Sequence, residues 1–308
     1  TIYCIKIHKF VLNNYNLEMQ FSIIVPTFKN YKYLKSSINS IKKNSSYEHQ
    51  VIVHLNGKDD ETEKYLKAQN ILFTKTEENI GLCSGVNIAA RMSTHDFIVY
   101  AHDDMYFCPK WDYFLVDEIK SLLDKNFYLS STQISPIGQL KSTKMNHIYY
   151  DCGDSLDNFN EQKLIDNYAK LEFYDLQGSH WAPHIMPRKL WDEVGGFSEE
   201  FDPGFGSDPD LNMKLWSRGV RIFKCVNNSR VYHFGSQTTR KNKKVIRNNA
   251  NKTFLLKWGI SIDFFVKYYL KRGDKFIKPL KNFKLSFLNF FPFLICKIKF
   301  FFLNLKKN

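Results

Sequence analysis

At 308 residues with 44% hydrophobic content, the chain can bury a full core, which excludes a disordered polymer and favours one large domain with an appendage. The net charge of +13 suggests nucleic acid or lipid at first, but residues 240–308 carry 18 Lys or Arg against Asp263 and Asp274, while residues 1–239 hold 26 basic and 29 acidic side chains. The basic excess therefore belongs to the tail, and with no recognised nucleic-acid module beside it, nucleic acid is excluded as a partner.

Six cysteines (Cys4, Cys83, Cys108, Cys152, Cys225, Cys296) show no CxxC or paired spacing, so neither a zinc cluster nor a disulfide framework is expected, and reduced thiols in cytoplasm are the default. Residues 1–18 lack a long apolar stretch and Met19 precedes the first convincing strand, so residues 1–19 read as an upstream or loose extension rather than a signal peptide. Phe21 to Val25 is a short apolar run stopped by Pro26-Thr27, a strand with a breaker. Tyr33, Leu34, Ile38 and Ile41 then recur at helical spacing with lysines between them. Val51 to Leu55 is a second strand closed by Asn56-Gly57, a helix follows over about 61–68, and Ile71 to Phe73 is a third, small strand. A helix opens at Asn79-Ile80-Gly81 and runs to about Met92, and Phe97 to Ala101 is the fourth strand. This alternation predicts an α/β protein with a doubly wound, mostly parallel sheet. No GxxxxGK[ST] or GxGxxG loop occurs, which disfavours P-loop ATPases and ordinary dinucleotide enzymes.

The fourth strand stops abruptly at His102-Asp103-Asp104. Carboxylates at the carboxyl edge of a buried strand sit where open α/β sheets bind ligands, and they are costly to bury unpaired. That pattern fits either a divalent-cation site or an exposed turn closed by Pro109. A helix over 111–123 and a strand over 127–134 follow; residues 136–175 read as a loop excursion with a helix near 161–171. Lys189 to Val194 forms a helix ended by Gly195-Gly196. A glycine-rich loop leads through Asp208-Pro209-Asp210 into a helix, and strands are expected over 220–226 and 231–235.

These residues resemble glycosyltransferase family 2, inverting enzymes of the GT-A (Rossmann-like) fold that use nucleotide sugars, over about residues 20–240. Val25-Pro26-Thr27-Phe28-Lys29-Asn30 is similar to that family's V-P-T-Y-N strand end, and Asn56-Gly57-Lys58-Asp59-Asp60-Glu61-Thr62 to its D-G-S-x-D-x-T turn. Asn79-Ile80-Gly81 with Asn87 resembles its N-x-G helix start, and His102-Asp103-Asp104 its D-x-D metal motif. Gly195-Gly196-Phe197 and Asp208-Pro209-Asp210-Leu211 resemble its G-G-F and E-D-x-D-L elements. The departures are His102 for the first carboxylate, Ser207 for the usual Glu, and Asn56 for an Asp associated with base or ribose recognition.

The resemblance implies a metal-dependent inverting glycosyltransferase with a nucleotide-sugar donor, UDP-linked by preference, and a glycan or lipid-linked saccharide acceptor; the other reading is an inactive sugar-nucleotide-binding or scaffold protein. It implies Mn²⁺ or Mg²⁺ held directly by Asp104, with His233 either a third ligand or a structural histidine. Asp103 is then a water-mediated ligand or ribose contact, and His102 a donor contact or local packing. Asp208 takes the place of the base that removes the acceptor proton; the competing role is helix capping, to which Asp210 is assigned. Pro26, Thr27, Phe28 and Asn56 are expected beside the nucleotide base, and His180 and Trp181 at the junction of donor and acceptor.

Residues 241–308 are expected to form a basic, aromatic, helical tail. Phe287 to Cys296 is its longest clean apolar run, too short to span a bilayer and interrupted by Pro292, so attachment in the plane of an anionic membrane is expected, peripheral on the inner face. The competing reading packs these segments onto the catalytic domain.

Overall fold

The apolar runs of the first hundred residues become the middle of a sheet that is covered on both faces. In the computed structural model, which describes residues 19–136, 147–178, 181–235 and 249–305, strand β1 (Phe21–Thr27) pairs in parallel with β2 (Gln50–Asn56) on one side and β4 (Phe97–Tyr100) on the other. Strand β3 (Leu72–Thr76) lies outside β2, also parallel. The helices Tyr31–Asn44, Asp60–Ala68 and Leu82–Ala90 make the crossovers. Strands buried on both faces cannot alternate polar with apolar residues, which is why they read as hydrophobic runs. The chain moves outward from β1 to β3 and then returns past β1 to form β4. Strand order therefore reverses between β1 and β4, and the carboxyl ends of these strands flank a crevice there.

Beyond β4 the sheet is mixed. The order among the described residues is β3-β2-β1-β4, then β9 (His184–Pro187), β6 (Phe127–Ser135), β10 (Ile222–His233) and β5 (Met105–Phe107), with β7 (His147–Tyr149) on β6 and β8 (Leu176–Gln177) on β10. Strand β9 is antiparallel to both its neighbours, so its first residue, His184, comes level with Tyr100 at the carboxyl end of β4. Strand β10 is antiparallel to β5, which sets His233 opposite Met105, one residue after Asp104. The expected strands over 220–226 and 231–235 are one strand with a bulge between Val226 and Arg230. The third strand runs to Thr76 rather than Phe73, and the helix near 161–171 is Glu161–Asn167 followed by a 3₁₀ turn.

Two packing details hold the site edge. Gly85 lets the helix Leu82–Ala90 lie on β2, because a Cβ there would stand 2.5 Å from His54 Cδ2. Asp202 caps the same helix from 119 residues away: its carboxylate accepts from Cys83 N at 2.7 Å, Ser84 N at 3.3 Å and Ser84 Oγ at 2.6 Å. Gly81, with φ +98°, is the backbone over which that carboxylate passes; a Cβ would lie 2.2 Å from Asp202 Cγ.

One hydrophobic core extends from the sheet into the tail, burying Phe254, Leu255, Phe264, Phe265 and Leu270. Helix Ala250–Trp258 is fastened by Asp210, which is fully buried and accepts from Trp258 Nε1 at 2.8 Å, Ser198 Oγ at 2.6 Å and Lys257 Nζ at 3.0 Å. Asp210 is therefore structural, but as an anchor; the helix it lies in, Ser207–Ser217, has Gly206 as N-cap and no side-chain cap.

The end of the tail corrects an expectation. Phe287–Leu305 is a single 19-residue helix that continues through Pro292 and past Lys297 and Lys299, and by length and composition it can cross a membrane. Pro292 lies in the second turn, where it forfeits one backbone bond without ending the helix. Lys297 Nζ lies over the Phe293 ring at 4.9 Å. Cys296 faces the core while Phe287, Leu288, Phe291 and Phe302 point outward. Residues 1–18 and His180 lie outside the described residues.

Candidate active site

The reversal of strand order between β1 and β4 opens a cleft of about 280 Å³ lined by Pro26, Thr27 and Phe28 from the end of β1, Asn56 from β2, and Tyr100, His102, Asp103 and Asp104 from the end of β4. Pro203, Gly204, Phe205, Ser207 and Asp208, from the glycine-rich loop and the start of the following helix, line it as well. Eight residues singled out from the sequence thus share one cavity. Thr27 Oγ1 donates to Asp103 Oδ2 at 2.6 Å across the two parallel strands, so Asp103 is held toward the β1 side. The Asn56 amide is held at both ends, donating to Gly81 O and accepting from Ile80 N, each at 2.8 Å, which fixes the loop that floors the cleft.

Asp104 turns the other way. His102, Asp104 and His233 each offer a ligand atom, and these atoms lie within 4.8 Å of one another. The hydrogen-bond pattern decides which nitrogen of His233 is available. Gln133 Nε2 donates to Ala182 O, so Gln133 Oε1 is an acceptor, and His233 Nδ1 at 3.0 Å must carry the proton. Nε2 is therefore the nitrogen turned to the cluster, buried and 3.2 Å from a carboxylate oxygen of Asp104. A cation or a proton can bridge such a pair. Burial, reinforced by neighbouring His233, holds the His102 imidazole down at about 4, the neutral form that ligates metals. The three residues fit a divalent cation, with Gln133 as the outer group that orients a ligand.

Asp208 keeps about 20% of its side-chain exposure, and His184 Nε2 lies 3.6 Å from its Oδ1. The His184 ring is buried among Tyr100, Tyr128 and Phe197. Burial, with the Asp208 charge adding, raises both tyrosine hydroxyls well above their ordinary range, so they are neutral donors beside that carboxylate. Trp181 stands apart from the cleft lining, half-buried with its ring 5.3 Å from that of His147.

Sequence reasoning quoted Asn79 and the glycine-rich loop only as motif and lead-in, and it missed Leu82, Pro203 and Phe205 in the lining and Gln133 and His184 behind it. The loop glycines were a visible signal for close approach; Gln133 and His184 lie in strands whose neighbours are set by tertiary pairing. The structure also groups His102 with Asp104 and His233, where sequence reading assigns it to the donor or to local packing.

The family model described as Glycosyl transferase family 2 matches residues 22–181. No curated protein sequence matches the chain. Among solved structures, S. aureus TarS 1-349 in complex with UDP is similar with a TM-score of 0.56 at 15% identity, over 92% of this chain and 71% of that one. GalNAc-T7 with UDP, GalNAc and Mn²⁺ is similar at 0.56 and 13% identity, over 82% of this chain and 51% of that one. The chain spans about half of GalNAc-T7 and 44% of the longer S. aureus TarS structure. At such identities the likeness establishes the fold, a GT-A fold, and the matched family model covers more than half of the residues. The chain belongs to glycosyl transferase family 2.

Proposed function

We propose that the chain transfers a sugar, with inversion, from a nucleotide-sugar donor to a hydroxyl of a glycan or lipid-linked saccharide, working at the inner face of an anionic membrane. The observation that carries this reading is the cleft that His102, Asp104 and Asp208 line together, with His233 grouped with the first two. UDP is the favoured nucleotide because TarS and GalNAc-T7 structures are described with UDP, UDP-GlcNAc or both UDP and Mn²⁺. Phe28 and Asn56 would border the base, and Asp103, tied to Thr27, the ribose side. His102, Asp104 and His233 would hold Mn²⁺ or Mg²⁺, which when bound offsets the negative charge developing on the departing diphosphate. Asp208, which lines the same cleft, would be the base that takes the acceptor's proton.

The outward apolar face of Phe287–Leu305, followed and preceded by lysines, supports attachment in the plane of the membrane. Its other face is held to the core through Cys296, Phe293 and Leu303, so the helix lies along the domain.

The test is thermal denaturation against nucleoside diphosphates with and without Mn²⁺, then donor turnover by Asp208→Asn and Asp104→Ala. Selective stabilisation that requires metal, of about 2.7 kcal/mol at a hundredfold excess over Kd, is expected. Both variants should lose turnover, and Asp104→Ala the metal dependence also. Unchanged turnover in both would refute the roles given to Asp208 and Asp104; binding without turnover in the parent chain would leave the scaffold reading. A chain ending at Ser286 should fail to sediment with anionic vesicles, and undiminished sedimentation would refute the membrane role.

A further inference from the structure

We propose that His184 is a positioning residue for Asp208, an inference that rests on Asp208 being the base. His184 is 1% exposed, and neither ring nitrogen has a hydrogen-bond partner among the described residues. A buried imidazole without a partner is expensive unless it has a task. The polar atom it approaches is Asp208 Oδ1, at 3.6 Å, and that oxygen is likewise buried with no hydrogen-bond partner. The exposure that Asp208 keeps therefore belongs to the other side of the carboxylate, and Oδ2 is the oxygen left to meet an acceptor hydroxyl.

The two orphans answer each other. A neutral His184 with its proton on Nε2 donates to Oδ1, stops the carboxylate turning, and aims Oδ2 into the cleft. A slightly long contact before substrate arrives is usual for catalytic hydrogen bonds. The geometry arises from strand direction: because β9 runs against β4, His184 is delivered to the carboxyl edge of the sheet beside Tyr100. The proton taken from the acceptor stays on Asp208.

Imidazole ¹⁵N spectra of the full chain near neutral pH, with the His184 signal identified by its absence from His184→Gln, should show the Nε2–H tautomer and a changed signal in Asp208→Asn. An Nδ1–H tautomer, or a signal indifferent to Asp208→Asn, would overturn the proposal whether or not turnover can be measured. Turnover of UDP-GlcNAc with MnCl₂ gives the second arm. His184→Phe should lower kcat at least tenfold with the donor KM within twofold and UDP-Mn²⁺ stabilisation retained. His184→Gln, whose amide nitrogen reaches about as far as Nε2, should recover most of that loss. In an Asp208→Asn background His184→Phe should change residual turnover by less than twofold, because its effect passes through the carboxylate. Equal losses in the Phe and Gln variants, or the same loss in both backgrounds, would refute positioning. Undiminished turnover in Asp208→Asn alone would instead remove the base assignment.

Discussion

Asp202 and Gly81 give the sharpest test of how the cleft is held together, because one contact can be attacked from either side. Asp202→Ala removes the carboxylate that accepts from Cys83 N, Ser84 N and Ser84 Oγ. Losing an N-cap acceptor costs about 1 kcal/mol, and the charge-assisted bond from the hydroxyl raises the expected loss to about 2 kcal/mol. Gly81→Ala strains a backbone at φ +98° and drives a methyl to within 2.2 Å of Asp202 Cγ, which pushes the same carboxylate off its donors. Strain of about 1 kcal/mol and the lost cap of about 2 kcal/mol predict about 3 kcal/mol. In the double variant the cap is already absent, so the total should be about 3 kcal/mol rather than the 5 kcal/mol of simple addition, a coupling of about 2 kcal/mol. Urea denaturation of the four proteins measures it. Since Asp202 precedes Pro203, Gly204 and Phe205 on the cleft wall, both single variants should also weaken UDP-Mn²⁺ binding. Additivity within about 0.5 kcal/mol would refute the claim that Gly81 is glycine for the sake of Asp202.

Burial holds His54 down at about 4 from its ordinary 6.5, so the unfolded chain takes up a proton that the folded chain refuses. That contribution is complete above pH 6.5 and drains as pH falls toward 4, by up to about 3 kcal/mol. His54→Leu should flatten the decline by that amount in denaturation series across this range; an unchanged slope would show that His54 does not carry it. Gln133→Leu should release the tautomer of His233 and weaken Mn²⁺-dependent stabilisation tenfold to a hundredfold in apparent affinity, with UDP binding alone intact; calorimetry showing unchanged Mn²⁺ affinity would remove Gln133 from the site. Asp210→Ala leaves Lys257 and Trp258 Nε1 without their buried acceptor, and a loss of about 3 kcal/mol, roughly 6 to 12 °C in Tm, is expected. A change below 2 °C in a melting scan would mean that the tail is fastened elsewhere.

Three of the first four strands were legible because a sheet covered on both faces demands unbroken apolar runs, and Phe21 to Val25, Val51 to Leu55 and Phe97 to Ala101 supply them. The cleft walls were legible in the same way: an apolar strand that stops at Asp103-Asp104, and a glycine-rich loop that ends at Asp208, are local patterns with local causes. Strands β5, β7, β8 and β9 were not, since runs of two to four residues are too short for a period to emerge. The span of the final helix was underestimated because Pro292, Lys297 and Lys299 interrupt composition without interrupting backbone hydrogen bonding enough to end it.

Chain order alone therefore determined the alternation of strands and helices that makes a doubly wound sheet, and which carboxylates stand at a strand's carboxyl end. Only the folded chain decided who stands behind them. Gln133 meets His233 from 100 residues away and His184 approaches Asp208 from a strand running the opposite way. Such partners are chosen by the register of strand pairing, and register is a property of two segments in contact that neither segment carries by itself.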